Sequence, residues 1–189
     1  MNKYEIICIG VSAGGLKTLS LLLPQIPIDF TIPIIILQHR HKTSDNFLIE
    51  HLKTLSPIPL SEAIQSETIQ PNHIYIAPPQ YHLLINTDST FSLSDEPPIC
   101  SSKPSIDVLF ESVAWSYKNK AIGIILTGAS KDGSYGLEQI GKYGGLKVVQ
   151  DPKSAHNDFM PQHAIQHTKV DKVLLLENFG KFLKQQTYA

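Results

Sequence analysis

Cys8-Ile9-Gly10-Val11-Ser12-Ala13-Gly14-Gly15 is the stretch on which the reading of this chain turns. The apolar run Ile6 to Ile9 stops in a Gly/Ser turn, and a helical pattern starts near Leu16. Strand, tight turn and helix follow one another, with a serine at the apex. That serine is either a nucleophile on a strained turn or one hydroxyl in a phosphate-binding loop. Gly10-Val11-Ser12-Ala13-Gly14 fits G-x-S-x-G, the pattern that exposes a serine between a strand and a helix. The helix N-terminus behind it offers unpaired N–H groups and a positive dipole end. One such donor aimed at a developing oxyanion is typically worth ~10²–10³ in kcat.

The rival reading takes Gly10-x-Ser12-x-x-Gly15 as a form of the dinucleotide loop G-x-G-x-x-G. Two features weaken it. The middle glycine, which lets a pyrophosphate approach, is a serine here. The acid expected after the second strand, to hold a ribose, is replaced by Gln38-His39; Asp29 lies before that strand. A plainer reading, a polar turn that merely starts a helix, also stays open for the pentapeptide alone.

Outward from this stretch the chain reads as alternating strands and helices. A helix from about Leu16 to Leu23 is stopped by Pro24 and Pro27. Ile32 to Leu37 is a second buried strand, delivering Gln38-His39-Arg40-His41 at its end. Thr43 or Ser44 caps the next helix, with Phe47, Leu48, His51, Leu52 and Leu55 at helical spacing. A short strand lies near Leu60 to Ile64. His73 to Ala77, Tyr81 to Asn86 and Thr90 to Ser94 read as a hairpin or meander, antiparallel by loop length. Pro104 opens a helix with Ile106, Leu109, Phe110, Val113, Ala114 and Tyr117 on one face. Ala121 to Leu126 is a strand ending in the loop Thr127 to Ser134, and a helix from about Tyr135 to Tyr143 closes at Gly144-Gly145. Leu146 to Gln150, a helix Met160 to His167, a strand Val173 to Leu176 and a helix Phe179 to Gln185 complete the chain. The pattern indicates an α/β parallel sheet covered on both faces.

Composition narrows the function classes. The 189 residues suit one domain with a sizeable core. Net charge is -1 with mixed signs, so no like-charge block points to nucleic acid or an anionic membrane. Cys8 and Cys100 make no disulfide framework, and Cys8 reads as a buried thiol in a reducing compartment. No leader-type segment opens the sequence, and the longest apolar runs are too short to cross a bilayer. A soluble cytoplasmic protein is expected, without direct membrane insertion.

Sites in such sheets form at the C-terminal ends of strands. Three ends carry chemical side chains: Ser12, His39 and Asp132. His39 has the intrinsic pKa of a base able to activate a serine near neutral pH. Asp132 can hold the imidazole's tautomer and stabilise the imidazolium. Each has an ordinary reading as well, Asp132 as a turn residue near a helix start. His41, His51, His73, His82, His156, His163 and His167 show no metal-ligand spacing, and no metal or cofactor is expected; His163 and His167 read as surface residues. The chain order Ser, His, Asp differs from the Ser, Asp/Glu, His order of α/β-hydrolases.

At these residues the chain resembles the catalytic domain of the chemotaxis protein-glutamate methylesterases, the CheB methylesterase family. The matching stretches are Ile9 to Gly15, Gln38-His39, Ile74-Tyr75-Ile76-Ala77-Pro78, Pro104 to Ser112, Gly123 to Gly128 with Asp132-Gly133, Gln150-Asp151-Pro152 and Met160-Pro161. They run through nearly the whole chain in family order. The resemblance implies a doubly wound, mostly parallel sheet with an antiparallel hairpin. It implies a serine hydrolase with Ser12 as nucleophile, His39 as base and Asp132 as orienting acid. It implies demethylation of γ-glutamyl methyl esters, and deamidation of glutamine, on chemoreceptor cytoplasmic helices or related sensory proteins. The protein substrate calls for a shallow, exposed groove.

Three departures stand out. Residues 1–189 read as a single catalytic domain without the family's usual N-terminal receiver domain, so a separate response regulator is the expected alternative source of control. Ala129 stands where the family usually has methionine after Thr-Gly, and Lys131 is a cation able to pair with Asp132 and weaken its hold on His39. Arg40 follows Gln38-His39 where an apolar residue is common. Ala129 and Lys131 motivate an alternative: a catalytically drifted domain that serves as a binding module in a sensory complex. A nucleotide-binding α/β domain is the third reading.

Overall fold

The computed structural model describes residues 3–40 and 46–187. His41 and the proposed caps Thr43 and Ser44 lie outside the described residues. The main sheet has seven strands, β1 (Ile6–Val11), β2 (Ile34–Gln38), β3 (Leu60–Glu62), β4 (Ile74–Ile76), β7 (Ala121–Ile125), β8 (Leu146–Gln150) and β9 (Lys172–Leu174), in the order β3-β4-β2-β1-β7-β8-β9. Every pairing in it is parallel. Strands β5 (His82–Ile85) and β6 (Phe91–Ser94) form a separate antiparallel hairpin.

Strand alternation sorts the apolar side chains onto two faces. Ile7, Ile9 and Val11 of β1 pack on one side with Leu19 and Leu22 of α1 (Gly15–Leu22), Leu52 of α2 (Phe47–Leu55) and Phe179 and Leu183 of α6 (Phe179–Thr187). Ile6 and Cys8 face the other side. There they meet α3 (Ile106–Tyr117), α4 (Ser134–Lys142), α5 (Phe159–His167) and the hairpin. Helices therefore cover both faces, which makes the sheet doubly wound. Burial also pushes the Cys8 thiol well up, leaving it an inert core residue.

Two expectations need correction. His73 to Ala77 is not part of an antiparallel meander: Ile74–Ile76 pairs in parallel with both β2 and β3. The short Pro78-Pro79-Gln80 link suggested a hairpin, but all three β4 residues are buried, as an interior strand of a covered sheet requires. The second correction concerns Pro104. The helix begins at Ile106, after Ser105 in extended conformation, and the start of α3 is held by a residue far off in sequence. Strand β2 likewise starts only after Pro33, which has no N–H to give a ladder.

Among the described residues no helix is long and apolar enough to cross a membrane.

Candidate active site

The register of the central strands decides which side chains meet. Val11 of β1 pairs with Gln38 of β2, so the next residues, Ser12 and His39, leave neighbouring strand ends together. On its other side β1 pairs with β7, the strand that leads to Asp132. From β1 the chain builds outward through β2, then returns to build the other side from β7. Ser12 thus sits where strand order reverses, the usual place for a site in an open α/β sheet.

Several buried polar contacts hold the Ser12 turn. Its N–H donates to Thr127 O at 2.9 Å, and its carbonyl accepts Gly15 N–H at 2.8 Å and Gln38 Nε2 at 3.0 Å. Gln38 Nε2 also donates to His39 O at 2.9 Å, so one amide ties the two turns together. Gly14 has a left-handed φ of 81°, a conformation that glycine adopts without strain. A Cβ on Gly15 would stand 1.7 Å from Gln38 Oε1. The second glycine of the pair therefore makes room for this glutamine and needs no phosphate to explain it.

His39 joins the other two side chains. Its Nδ1 lies 3.1 Å from Ser12 Oγ, and its Nε2 lies 2.8 Å from Asp132 Oδ2. Asp132 is fully buried, and the His39 side chain is 16% exposed. The carboxylate's remaining partners come from the start of α3: Ser105 Oγ donates to Oδ1 at 2.7 Å, Ile106 N–H to Oδ2 at 2.7 Å and Asp107 N–H to Oδ1 at 3.0 Å. Burial works to raise the Asp132 carboxyl, but the bonds from His39, the Asp107 and Ile106 N–H groups and Ser105 outweigh it and hold it below the usual carboxylate range. An ionised carboxylate only accepts. The imidazole proton therefore belongs on Nε2, which leaves the Nδ1 lone pair facing the serine hydroxyl. The chain Ser12 Oγ–H, His39, Asp132 can pass a proton from serine to imidazole while the resulting charge stays compensated.

The space around Ser12 is open. A groove of about 580 Å³ runs along one side, lined by Ser12, Leu16, Lys17, His39 and Phe47 among others. A second, of about 250 Å³, lies between His39, Arg40 and residues 101–103. A groove of about 510 Å³ between the hairpin and the α3–α4 pair, with Trp115 and Tyr143 in its wall, contains none of the three side chains.

The departures from the family pattern resolve into separate effects. Lys131 is exposed, and among the described residues it makes no ion pair with Asp132, which keeps its 2.8 Å contact with His39. Arg40 lines the groove beside Ser12, and its guanidinium is held by Glu62 Oε2 at 3.0 Å and Ala77 O at 2.8 Å, tying the end of β2 to the ends of β3 and β4. His163 is not a free surface residue. It is half-buried, its Nδ1 lies 2.8 Å from Ser134 Oγ, and burial followed by the neighbouring His167 and Lys131 pulls its pKa down. Among the described residues no group of three or more His, Cys, Asp or Glu is placed to hold a metal ion.

Four buried polar residues around the site were not read as such from the sequence: Ser105, Asp107, Thr127 and Gln150. Thr127 Oγ1 lies 3.0 Å from Ala13 O and accepts Asn157 N–H at 2.8 Å, while its own N–H donates to Gln150 Oε1 at 2.9 Å. Ser105 and Asp107 open a helix whose other inward positions are apolar, and that mismatch was the available signal.

Fold and site together define a doubly wound α/β domain whose switch point brings together a hydrogen-bonded serine, histidine and aspartate from three strand ends. The chain belongs to the CheB methylesterase family, whose model matches residues 7–183. It is similar to the Thermotoga maritima CheB methylesterase catalytic domain in its crystal structure, with a TM-score of 0.92 and 30% identity over 96% of this chain and 98% of that one. A relative from Leptospira interrogans is 48% identical over 179 residues, covering 95% of this chain and 93% of that protein. A Trichodesmium erythraeum relative, named protein-glutamate methylesterase/protein-glutamine glutaminase, is 35% identical over 182 residues; the match spans 95% of this chain and 52% of that protein.

Proposed function

We propose that this protein is a protein-glutamate methylesterase acting on γ-glutamyl methyl esters of chemoreceptor cytoplasmic helices or of related sensory proteins, and so works in the cytoplasm. The observation that carries the reading is the unbroken contact from Ser12 Oγ through His39 to Asp132, at 3.1 and 2.8 Å. Ser12 Oγ attacks the ester carbonyl and His39 Nδ1 takes its proton. Asp132 keeps the Nε2 proton in place and offsets the imidazolium charge. Helix α1 begins at Gly15, so its N-terminal N–H groups and dipole sit close to the developing oxyanion. His39 then gives its proton to the departing methoxide, methanol leaves, and a glutamyl ester of Ser12 remains. Water, activated by the same imidazole, hydrolyses that ester and frees the glutamate carboxylate. A glutamine side chain follows the same course with ammonia as the leaving group. The open groove beside Ser12 suits a side chain presented on another protein's surface.

The test is methanol release from a methylated receptor fragment by wild type and Ser12→Ala. Release by wild type alone supports the reading, and equal release by both sinks it. Fluorophosphonate labelling separates the enzyme from a drifted binding module, because only an activated Ser12 reacts.

A further inference from the structure

Asp132 and Asp107 form a reciprocal pair of helix caps. Asp132, just ahead of α4, accepts the N–H groups of Ile106 and Asp107 at the start of α3. Asp107, in the first turn of α3, accepts the N–H groups of Gly133 at 2.9 Å and Gly136 at 2.7 Å at the start of α4, both on Oδ1. Each carboxylate thus satisfies the unpaired N–H groups of the helix that carries or adjoins the other. Gly136 permits the close approach. A Cβ there would meet Asp107 Cα and O at 2.9 Å and Phe110 Cβ at 2.6 Å. Asp107 is 7% exposed, and the proposed mechanism leaves it without a task.

We infer that Asp107 is a positioning residue of this site: its carboxylate locks the start of α4 onto the first turn of α3, and so fixes the segment that carries Asp132 against His39. The inference rests on Ser12 being the nucleophile. A carboxylate is costly to bury where backbone N–H groups alone need acceptors, since a neutral amide oxygen serves that purpose. Asp107 shows the cost: burial, offset in part by the Gly136 N–H and raised again by the charge of Asp132, pushes its carboxyl up to about 6. The ionisable groups facing it are Asp132, from the loop before α4, and Cys100, from the loop before α3, which also feels the charge of exposed Lys131. Above its titration Asp107 adds a second negative charge behind the one that stabilises the imidazolium. Below it, that contribution is lost.

The test is the rate of Ser12 labelling by a fluorophosphonate, resolved into the maximal rate and the half-saturating concentration, across pH, for wild type, Ser12→Ala, Asp107→Ala and Asp107→Asn. Rates are taken per folded molecule, counted by near-UV circular dichroism. Asp107→Ala removes the acceptor of both the Gly133 and Gly136 N–H groups, and its maximal rate is expected to fall about tenfold or more, within the span that acid–base positioning commands, with half-saturation nearly unchanged. Asp107→Asn keeps Oδ1 for both N–H groups and is expected to recover to within about threefold of wild type on the alkaline plateau. Below pH about 6, where the Asp107 carboxyl titrates, the wild-type rate should fall more steeply than that of Asp107→Asn, which has one ionisation fewer. Wild-type labelling rates in Asp107→Ala overturn the inference. If that variant does not fold, an Asp107→Asn profile superposable on wild type overturns it instead. A wild type that fails to label removes the nucleophile reading and this inference with it, whereas a labelling wild type matched by both variants removes this inference alone.

Discussion

Asp132 Oδ2 accepts the Ile106 N–H at 2.7 Å on the same atom that accepts His39 Nε2. The carboxylate bonded to the histidine is therefore also the anion at the N-terminus of α3, where the helix dipole favours negative charge. This explains how a fully buried carboxylate stays ionised. Asp132→Asn puts an NH₂ where either His39 or the helix needs an acceptor. In the Ser-His-Asp template the corresponding change costs ~10⁴ in kcat. Asp132→Asn should accordingly lower methanol release by about 10³–10⁴-fold while the protein stays folded. A loss smaller than about tenfold would show that the Nε2 contact does not govern the reaction.

Asp107 also predicts a pH dependence of stability. Its folded-state pKa of about 6 lies above the ~3.9 of an unfolded aspartate. The native state therefore binds more protons between those values. The contribution of Asp107 is fully present below about pH 4 and is lost as pH rises through about 6. Asp107→Asn lacks this term. Denaturant unfolding at a series of pH values should show wild type losing about 2–3 kcal/mol relative to Asp107→Asn across that window. A constant difference between the two would mean that the carboxyl titrates normally.

The fold was legible because each central strand is a short Ile-rich run followed by a helical pattern, and the three chemical side chains all follow such runs. What the sequence concealed depends on long-range contact. Ile74–Ile76 is too short to declare its partners, and only burial on both faces makes it a parallel interior strand. Asp132 looked like a cap for the helix after it, but it caps α3, far away in sequence. Lys131 adjoins Asp132 in the chain yet is exposed, since neighbours in a loop need not share a direction. Asp107 lies within the stretch Pro104 to Ser112, whose apolar spacing reads as an amphipathic helix. A charged residue at that inward position was the sign that something polar lay opposite.

Thr127 offers a test of the buried polar contacts behind Ser12. Its hydroxyl reaches Ala13 O at 3.0 Å and accepts the Asn157 N–H at 2.8 Å. Thr127→Val keeps the shape and removes these contacts, together with the one to Asn157 O at 3.1 Å, leaving part-buried backbone groups without them at a cost of about 1 kcal/mol. Thr127→Ser keeps the hydroxyl and should retain most of that stability. Because Ala13 follows Ser12, Thr127→Val should also slow fluorophosphonate labelling while Thr127→Ser does not. Equal behaviour of the two variants in melting and labelling would assign Thr127 to packing alone.

Lys131→Ala bears on whether the departures beside Asp132 matter for chemistry. The lysine is exposed and makes no ion pair with Asp132, while the Asp132 carboxylate already accepts from His39, Ser105, Ile106 and Asp107. An exposed charge acts through water and its effects are small. Methanol release by Lys131→Ala should therefore stay within about twofold of wild type at moderate ionic strength. Lys131→Glu should behave the same way on a small uncharged ester, so any difference confined to a protein substrate would locate the lysine at the docking surface. A gain of about tenfold or more in Lys131→Ala on the small ester would instead mean that the cation restrains Asp132 through its charge, against the geometry found here.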